Sequence, residues 1–239
     1  MFASGSIKTA IGAIALIAAA PAMAEPITLD ADSIGDSFTI NFDGFSDGVT
    51  HGDLGGAATF TLTGVENRAY SFDYLIENLT GGAADSRISS FSFNTNPEIS
   101  GATSTGDYPF TVTDSSYPNG IGKVDVCFKA AGSNSCAGNR GGVVSGDTGS
   151  GSLILDFADP LASLTLDDFF VRYQGITGID GVTSASGQMT GSTTSTSGGS
   201  SSGTPVPAPG MLGIFAAALM GLGLMRRRRR DGGQRPVFA

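Results

Sequence analysis

The sequence predicts an all-β protein. A single antiparallel β-sandwich, jelly-roll or immunoglobulin-like, should occupy residues 25–182, flanked by an N-terminal signal peptide and a C-terminal transmembrane helix. Three observations predict this. Short runs in which every second residue is apolar recur through the chain, as a half-buried strand requires. Glycine is abundant, 36 of 239 residues, and Gly-, Asn- and Asp-rich breaks separate the runs. No long 3.6-residue apolar pattern lies between the two ends, and strands with one apolar face each must bury those faces against one another.

The first 24 residues, MFASGSIKTAIGAIALIAAAPAMA, carry Lys8, an apolar run from Ile11 to Ala20 and an Ala22-Met23-Ala24 cleavage pattern. They read as a secretory signal peptide cut between Ala24 and Glu25. The mature chain then opens on aspartates: Asp30, Asp32 and Asp36, followed by Asp43, Asp47 and Asp53. These are hard oxygen ligands, so Asp30, Asp32, Asp36, Asp43 and Asp47 are weak calcium candidates, although neither group fits an EF-hand loop. No resident metal or cofactor is expected. Gly44-Phe45-Ser46-Asp47-Gly48 matches the G-x-S-x-G pattern of serine hydrolases, and His51, the only histidine, is near. That pattern needs a strand–turn–helix elbow. The glycine-rich VTHGDLGGAA that follows cannot form the helix, so no nucleophile–base pair is expected.

The strand runs come next. In ATFTLTG, Phe60 and Leu62 alternate with Thr59, Thr61 and Thr63; in YSFDYLIEN, Phe72, Tyr74 and Ile76 share a face. SFSFN, KVDVCFK and SLILDF continue the pattern through Phe91 and Phe93, then Val124, Val126 and Phe128, then Leu153, Leu155 and Phe157. Asn78-Leu79-Thr80 is a glycosylation sequon. Cys127 and Cys136 are the only cysteines, and in an exported chain two close cysteines form a disulfide. Cys127 is out of phase with Val126 and Phe128, which places the bridge on the outer sheet face or its edge. There it would pin the loop AAGSNS and contribute about 2.5 kcal/mol. GNRGGVVSGDTGSGS lacks the Lys-Ser/Thr of a phosphate loop and reads as a surface loop. The five tyrosines (Tyr70, Tyr74, Tyr108, Tyr117, Tyr173) are dispersed and tryptophan is absent, so no aromatic platform for sugars is evident. Asp167 and Asp168, the one carboxylate pair considered for catalysis, should point to opposite faces of a strand.

From 183 to 204 the chain reads TSASGQMTGSTTSTSGGSSSGT, nineteen of twenty-two residues being Ser, Thr or Gly. Such composition reads as a linker that buries too little to fold. Pro205, Val206, Pro207, Ala208, Pro209 and Gly210 follow, then fifteen apolar and glycine residues, 211–225, about 22 Å long as a helix. Arg226, Arg227, Arg228, Arg229 and Arg230 close that stretch as a stop-transfer and positive-inside signal, and residues 231–239 form a tail. The chain's net charge is −9, but Glu25 to Pro209 holds six basic and twenty-one acidic residues, a net of −15. A body this acidic repels nucleic acid and anionic membrane surfaces.

Prolines, apolar segment and arginine cluster, in that order over residues 205–230, resemble the PEP-CTERM sorting signal of Gram-negative bacteria that make extracellular polysaccharide. Ala208 stands where the family usually carries Glu. The resemblance implies processing near the prolines by a membrane-embedded exosortase, after signal peptidase has acted at the other end. The body is similar to the cistern family of PEP-CTERM proteins in its two-cysteine loop, its Gly141-Gly142-Val143 step and its Phe170–Gln174 segment FVRYQ. The expectation is therefore a non-enzymatic exported protein, held at the inner membrane as a precursor and then delivered to the cell envelope or extracellular matrix, with a structural or adhesive role. The alternative is a carbohydrate-binding module for exopolysaccharide, assisted by calcium. An enzyme working through Asp167 and Asp168 is the third reading.

Overall fold

The structure, a computed structural model, describes residues 25–138 and 140–196. The signal peptide, the proline motif 205–210, the apolar segment 211–225, the arginine cluster and the tail lie outside the described residues. The described chain is all-β: fourteen strands and one short 3-10 turn, Ala31–Ser33. The strands are β1 Ile27–Leu29, β2 Ser37–Phe42, β3 Phe45–Ser46, β4 Val49–Thr50, β5 Gly56–Glu66, β6 Ala69–Asn78 and β7 Asp85–Asn96. They continue as β8 Gly101–Ser104, β9 Phe110–Tyr117, β10 Gly122–Lys129, β11 Val143–Val144, β12 Thr148–Asp156, β13 Leu164–Thr177 and β14 Ser184–Ser195.

All pair antiparallel in one large sheet, ordered β8-β12-β6-β5-β2-β14-β13-β7-β10-β9, with β1 added to β13, β11 to β7 and the β3–β4 hairpin to β14. The sheet turns over on itself at β14. Residues from Ser184 to Gln188 pair with β13, those from Met189 to Ser195 pair with β2, and a register shift between Met189 and Gly191 makes the corner. The two flanks then face each other and their apolar faces meet. Phe60 on one flank lies 5.8 Å from Phe91 and 6.0 Å from Phe93 on the other, and Phe38 lies 6.1 Å from Phe169, ring centre to ring centre. The free ends of the path also approach, the Thr111 hydroxyl of β9 donating to the Ala102 carbonyl of β8 (3.0 Å). One antiparallel sheet, nearly closed, encloses one apolar core.

The alternating faces read from the sequence match the burial: Phe60, Leu62, Phe72, Tyr74, Ile76, Phe91, Phe93, Leu153 and Leu155 all point into this core. Val124 is an exception. It leaves Val126 and Phe128 and packs with Tyr117, Cys127 and Cys136 in a second, smaller cluster.

Two segments that composition marked as unstructured are strands. Residues 184–195 form β14, so the expected linker 183–204 is corrected: the domain extends through Ser195 and not to 182. In its first half the small residues are needed because neighbours crowd the backbone. A Cβ on Gly187 would sit 2.3 Å from the Asp43 carbonyl oxygen and 2.9 Å from the Tyr173 ring, while Ala185 and Ser186 are wholly buried. Likewise Thr148–Ser152, assigned to a surface loop, opens β12. There Gly151 faces the Thr105 carbonyl and the Tyr74 hydroxyl, which hydrogen-bond to each other at 2.6 Å. Side-chain volume, absent from these stretches, is supplied by the residues they pack against.

Candidate functional site

The aspartates considered for calcium are not brought together. Asp30 caps the 3-10 turn, its carboxylate accepting from the Asp32 and Ser33 amides and the Ser33 hydroxyl (3.0–3.1 Å). The Asp43 carboxylate accepts from the Gln188 amide (3.1 Å) at the β14 corner. Asp47 and Gly48 form the two-residue β3–β4 turn, both with positive φ (50° and 77°), the geometry of a type I′ hairpin. The Asp36 carbonyl accepts from the Leu62 amide (3.0 Å). Among the described residues no three His, Cys, Asp or Glu side chains converge as a metal site would require.

The hairpin brings an unexpected pair together. Ser46 on β3 and His51, the residue that follows β4, are diagonal neighbours across the hairpin, and the Ser46 hydroxyl lies 2.8 Å from His51 Nε2. This corrects the expectation that no nucleophile and base meet. The tight Asp-Gly turn sets that distance; spacing alone does not reveal it. The elbow of a hydrolase is absent, because a hairpin stands where strand, turn and helix would be. Among the described residues no carboxylate holds the other ring nitrogen, and the pair works as a clamp across the turn.

Asp167 and Asp168 do not follow strand alternation either. A bulge separates Asp167 from Phe170 in the β13–β7 ladder, and Asp168 adopts φ 49°. The Asp167 carboxylate accepts from the Asp168 amide (2.7 Å), and the Asn94 amide group donates to Asp168 (3.0 Å). These carboxylates hold the bulge in shape. All five tyrosines are buried. Asn78 is buried too, its amide donating to the carbonyls of Ser86 (3.2 Å) and Val143 (2.9 Å), so the sequon is a knot joining β6, β7 and β11.

An open pocket of about 500 Å³ lies where the β5–β6 turn meets the end of β12. Glu66 pairs with Ala69 and Ala69 with Asp156, so two carboxylates on outer strands flank a small residue between them. Asn67, Arg68, Ser100, Phe157 and Ala158 complete the rim, and Arg68 is held by the Ala158 carbonyl (3.0 Å). The rim thus presents two carboxylates, an amide, a hydroxyl and a guanidinium.

A second polar assembly lies on the outer face of β7, β10, β13 and β14. The segment 130–138 and Tyr117 cover it, and the cysteines lie at its centre. Lys129, 1% exposed, donates to the carbonyl and hydroxyl of Ser133. Arg172, 7% exposed, donates to Ser184 (2.8 Å) and Ser186 (3.4 Å), and its Nε has no partner. Among the described residues neither cation meets a carboxylate. Cys127 and Cys136 are unbridged here, both fully buried and packed in one small cluster with Tyr117 and Val124. The placement of Cys127 on the outer face is as the phase of β10 predicts. Its complete burial is not, since the loop expected merely to be pinned folds down as a roof. Burial pushes the Tyr117 phenol well above its ordinary value, with Cys127 adding to the rise.

No protein-family model matches this chain, and no curated protein matches it.

Proposed function

We propose that this is a non-enzymatic exported protein, sorted by an exosortase-type system and serving a structural or adhesive role at the cell surface or in the extracellular matrix. Its body is a sandwich-type module of jelly-roll or immunoglobulin-like kind. The observation that carries this reading is the order of parts along the sequence: a secretory signal, a β-domain, three prolines, an apolar run and five arginines. The extent of the domain supports it. With β14 ending at Ser195, nine residues (196–204) separate the last strand from Pro205, so a cut near the prolines would release the domain whole. Prolines keep such a site extended and out of the following helix, as a membrane protease needs.

The test is the intact mass and terminal peptides of the mature protein from its native host. Processing at both ends gives a chain that starts at Glu25 and stops between Pro205 and Gly210. A chain that retains Arg226 to Ala239 removes the sorting reading and leaves a membrane-anchored β-domain.

A carbohydrate-binding module for exopolysaccharide is the second reading, and the cavity between Glu66 and Asp156 favours it. Purified polysaccharide should then be retained by the wild-type chain and lost by Glu66→Gln with Asp156→Asn. Retention that disappears with chelator would add calcium to that site, while no retention by any form ends this reading.

A further inference from the structure

The outer faces of the two flanks differ. On the flank that carries Cys127, the segment 130–138 and Tyr117 lie over the sheet. On the other flank β12 pairs with β6 and β6 with β5, and their outward side chains reach solvent. The register sets these side chains in rows across the strands. Thr61, Asp73 and Ser152 form one row, and Ser71 stands beside Ile154 in the next. The Ser152 hydroxyl donates to the Asp73 carboxylate (2.7 Å) and keeps its capacity to accept. Leu75 and Ile154 are the large apolar side chains of this face, 38% and 40% exposed.

The same strands lead into the open pocket. Followed along β6 and β12, the face ends at the row Glu66, Ala69 and Asp156, which is the pocket's own lining. From there to Glu77 the face runs about 27 Å along β6. Its charge narrows what can lie on it. The strands β5, β6 and β12 contain no lysine or arginine and carry Glu66, Asp73, Glu77 and Asp156. Arg68, at the pocket, donates to the Ala158 carbonyl. A polyanion, whether nucleic acid, acidic polysaccharide or anionic lipid, is repelled by such a surface. An apolar protein partner finds only two separated apolar side chains. An uncharged polysaccharide matches both kinds of group present: its hydroxyls donate and accept as those of Ser and Thr do, and the C–H faces of its rings pack on Leu75 and Ile154.

We propose that the outer face of β5, β6 and β12 is a track for one chain of an uncharged polysaccharide, which runs along the strands and seats one sugar in the pocket between Glu66 and Asp156. The proposal rests on the carbohydrate-binding reading above and extends its site from a pocket to a surface several sugars long. The pocket carboxylates accept hydrogen bonds from the seated sugar, and the track adds contacts with each further sugar. Affinity therefore rises with chain length until the face is filled.

The test uses the purified full-length chain in a detergent without a sugar headgroup. The probe is the host's purified exopolysaccharide, partly hydrolysed and separated by charge and then by length. Long neutral fragments should bind about tenfold more tightly than short ones. Leu75→Ser with Ile154→Ser should remove that advantage and leave the short fragments bound as before, whereas Glu66→Gln with Asp156→Asn should weaken both. Should a variant fail to fold, amide shifts of the wild-type chain locate the ligand. Long fragments should perturb Asp73–Leu75 and Ser152–Ile154, and short ones only Asn67–Ala69. Equal affinity for short and long fragments, or shifts confined to the pocket with both, overturns the track and leaves the pocket reading standing. Acidic fragments bound as tightly as neutral ones overturn the choice of an uncharged chain. No binding of any fragment overturns the track and the carbohydrate-binding reading together.

Discussion

At Gly142 the backbone has φ 99°, and a Cβ there would lie 2.1 Å from the Ile88 carbonyl oxygen. The Gly-Gly step before Val143 is thus a requirement of the chain's entry into β11. Gly142→Ala should cost on the order of 3 kcal/mol, read as a lowered urea midpoint at unchanged slope. Gly48, also at positive φ, has open space around it, and alanine there should cost only the backbone strain. The sequence shows glycines at both places without telling them apart, because the difference lies at Ile88 in β7, 54 residues away. Ser46 and His51 make the same point: their types are visible in the sequence, their 2.8 Å contact only in the hairpin. Asp30 is the contrary case. As a cap whose partners are two and three residues on, it is local chemistry, yet it reads as a metal-ligand candidate because a free carboxylate and a capping one look alike in a sequence.

Strands with bulky alternation were legible, since Phe60, Phe91 or Leu153 can be buried on one face only in an extended chain. Strands of small residues were not. β14 contributes little apolar side chain, and its stability comes from backbone ladders to β13 and β2 on its two sides. A chain ending at Val182 should therefore lose the fold entirely, showing no cooperative urea transition, whereas one ending at residue 196 should unfold in a single transition with the midpoint of the longer protein. Equal midpoints for the two truncations would return 183–195 to the role of a linker. The β13 bulge at Asp167 and the outward turn of Val124 were likewise beyond a period-two reading, which assumes an unbroken ladder.

For the whole molecule, the buried tyrosines set a limit at high pH. Burial raises the phenols of Tyr108 and Tyr173 far above 10, and those of Tyr70, Tyr74 and Tyr117 also rise. The unfolded chain releases these protons near pH 10 while the folded chain keeps them. The folded state then binds more protons, and stability falls with rising pH above that point. Stability from this source is fully present below pH 10 and is lost as pH climbs toward the folded values. Tyrosinate absorbance should therefore appear together with loss of the β-sheet circular dichroism, in one cooperative step above pH 10. Absorbance that rises first, with the sheet intact, would mean that the rings reach solvent in the folded protein.

The sequence by itself determined the class of structure and the expected destination. Alternation, turn residues and the two terminal segments are local patterns, and local patterns survive in a linear reading. The tertiary structure decided where the domain ends, which glycines are obligatory, and that a serine meets a histidine and a cysteine meets a cysteine. It also decided that Lys129 and Arg172 are buried, which no charge count reveals. Each of these depends on what another part of the chain places opposite a residue, and in a sheet built from antiparallel partners distant in sequence that information exists only once the strands have paired.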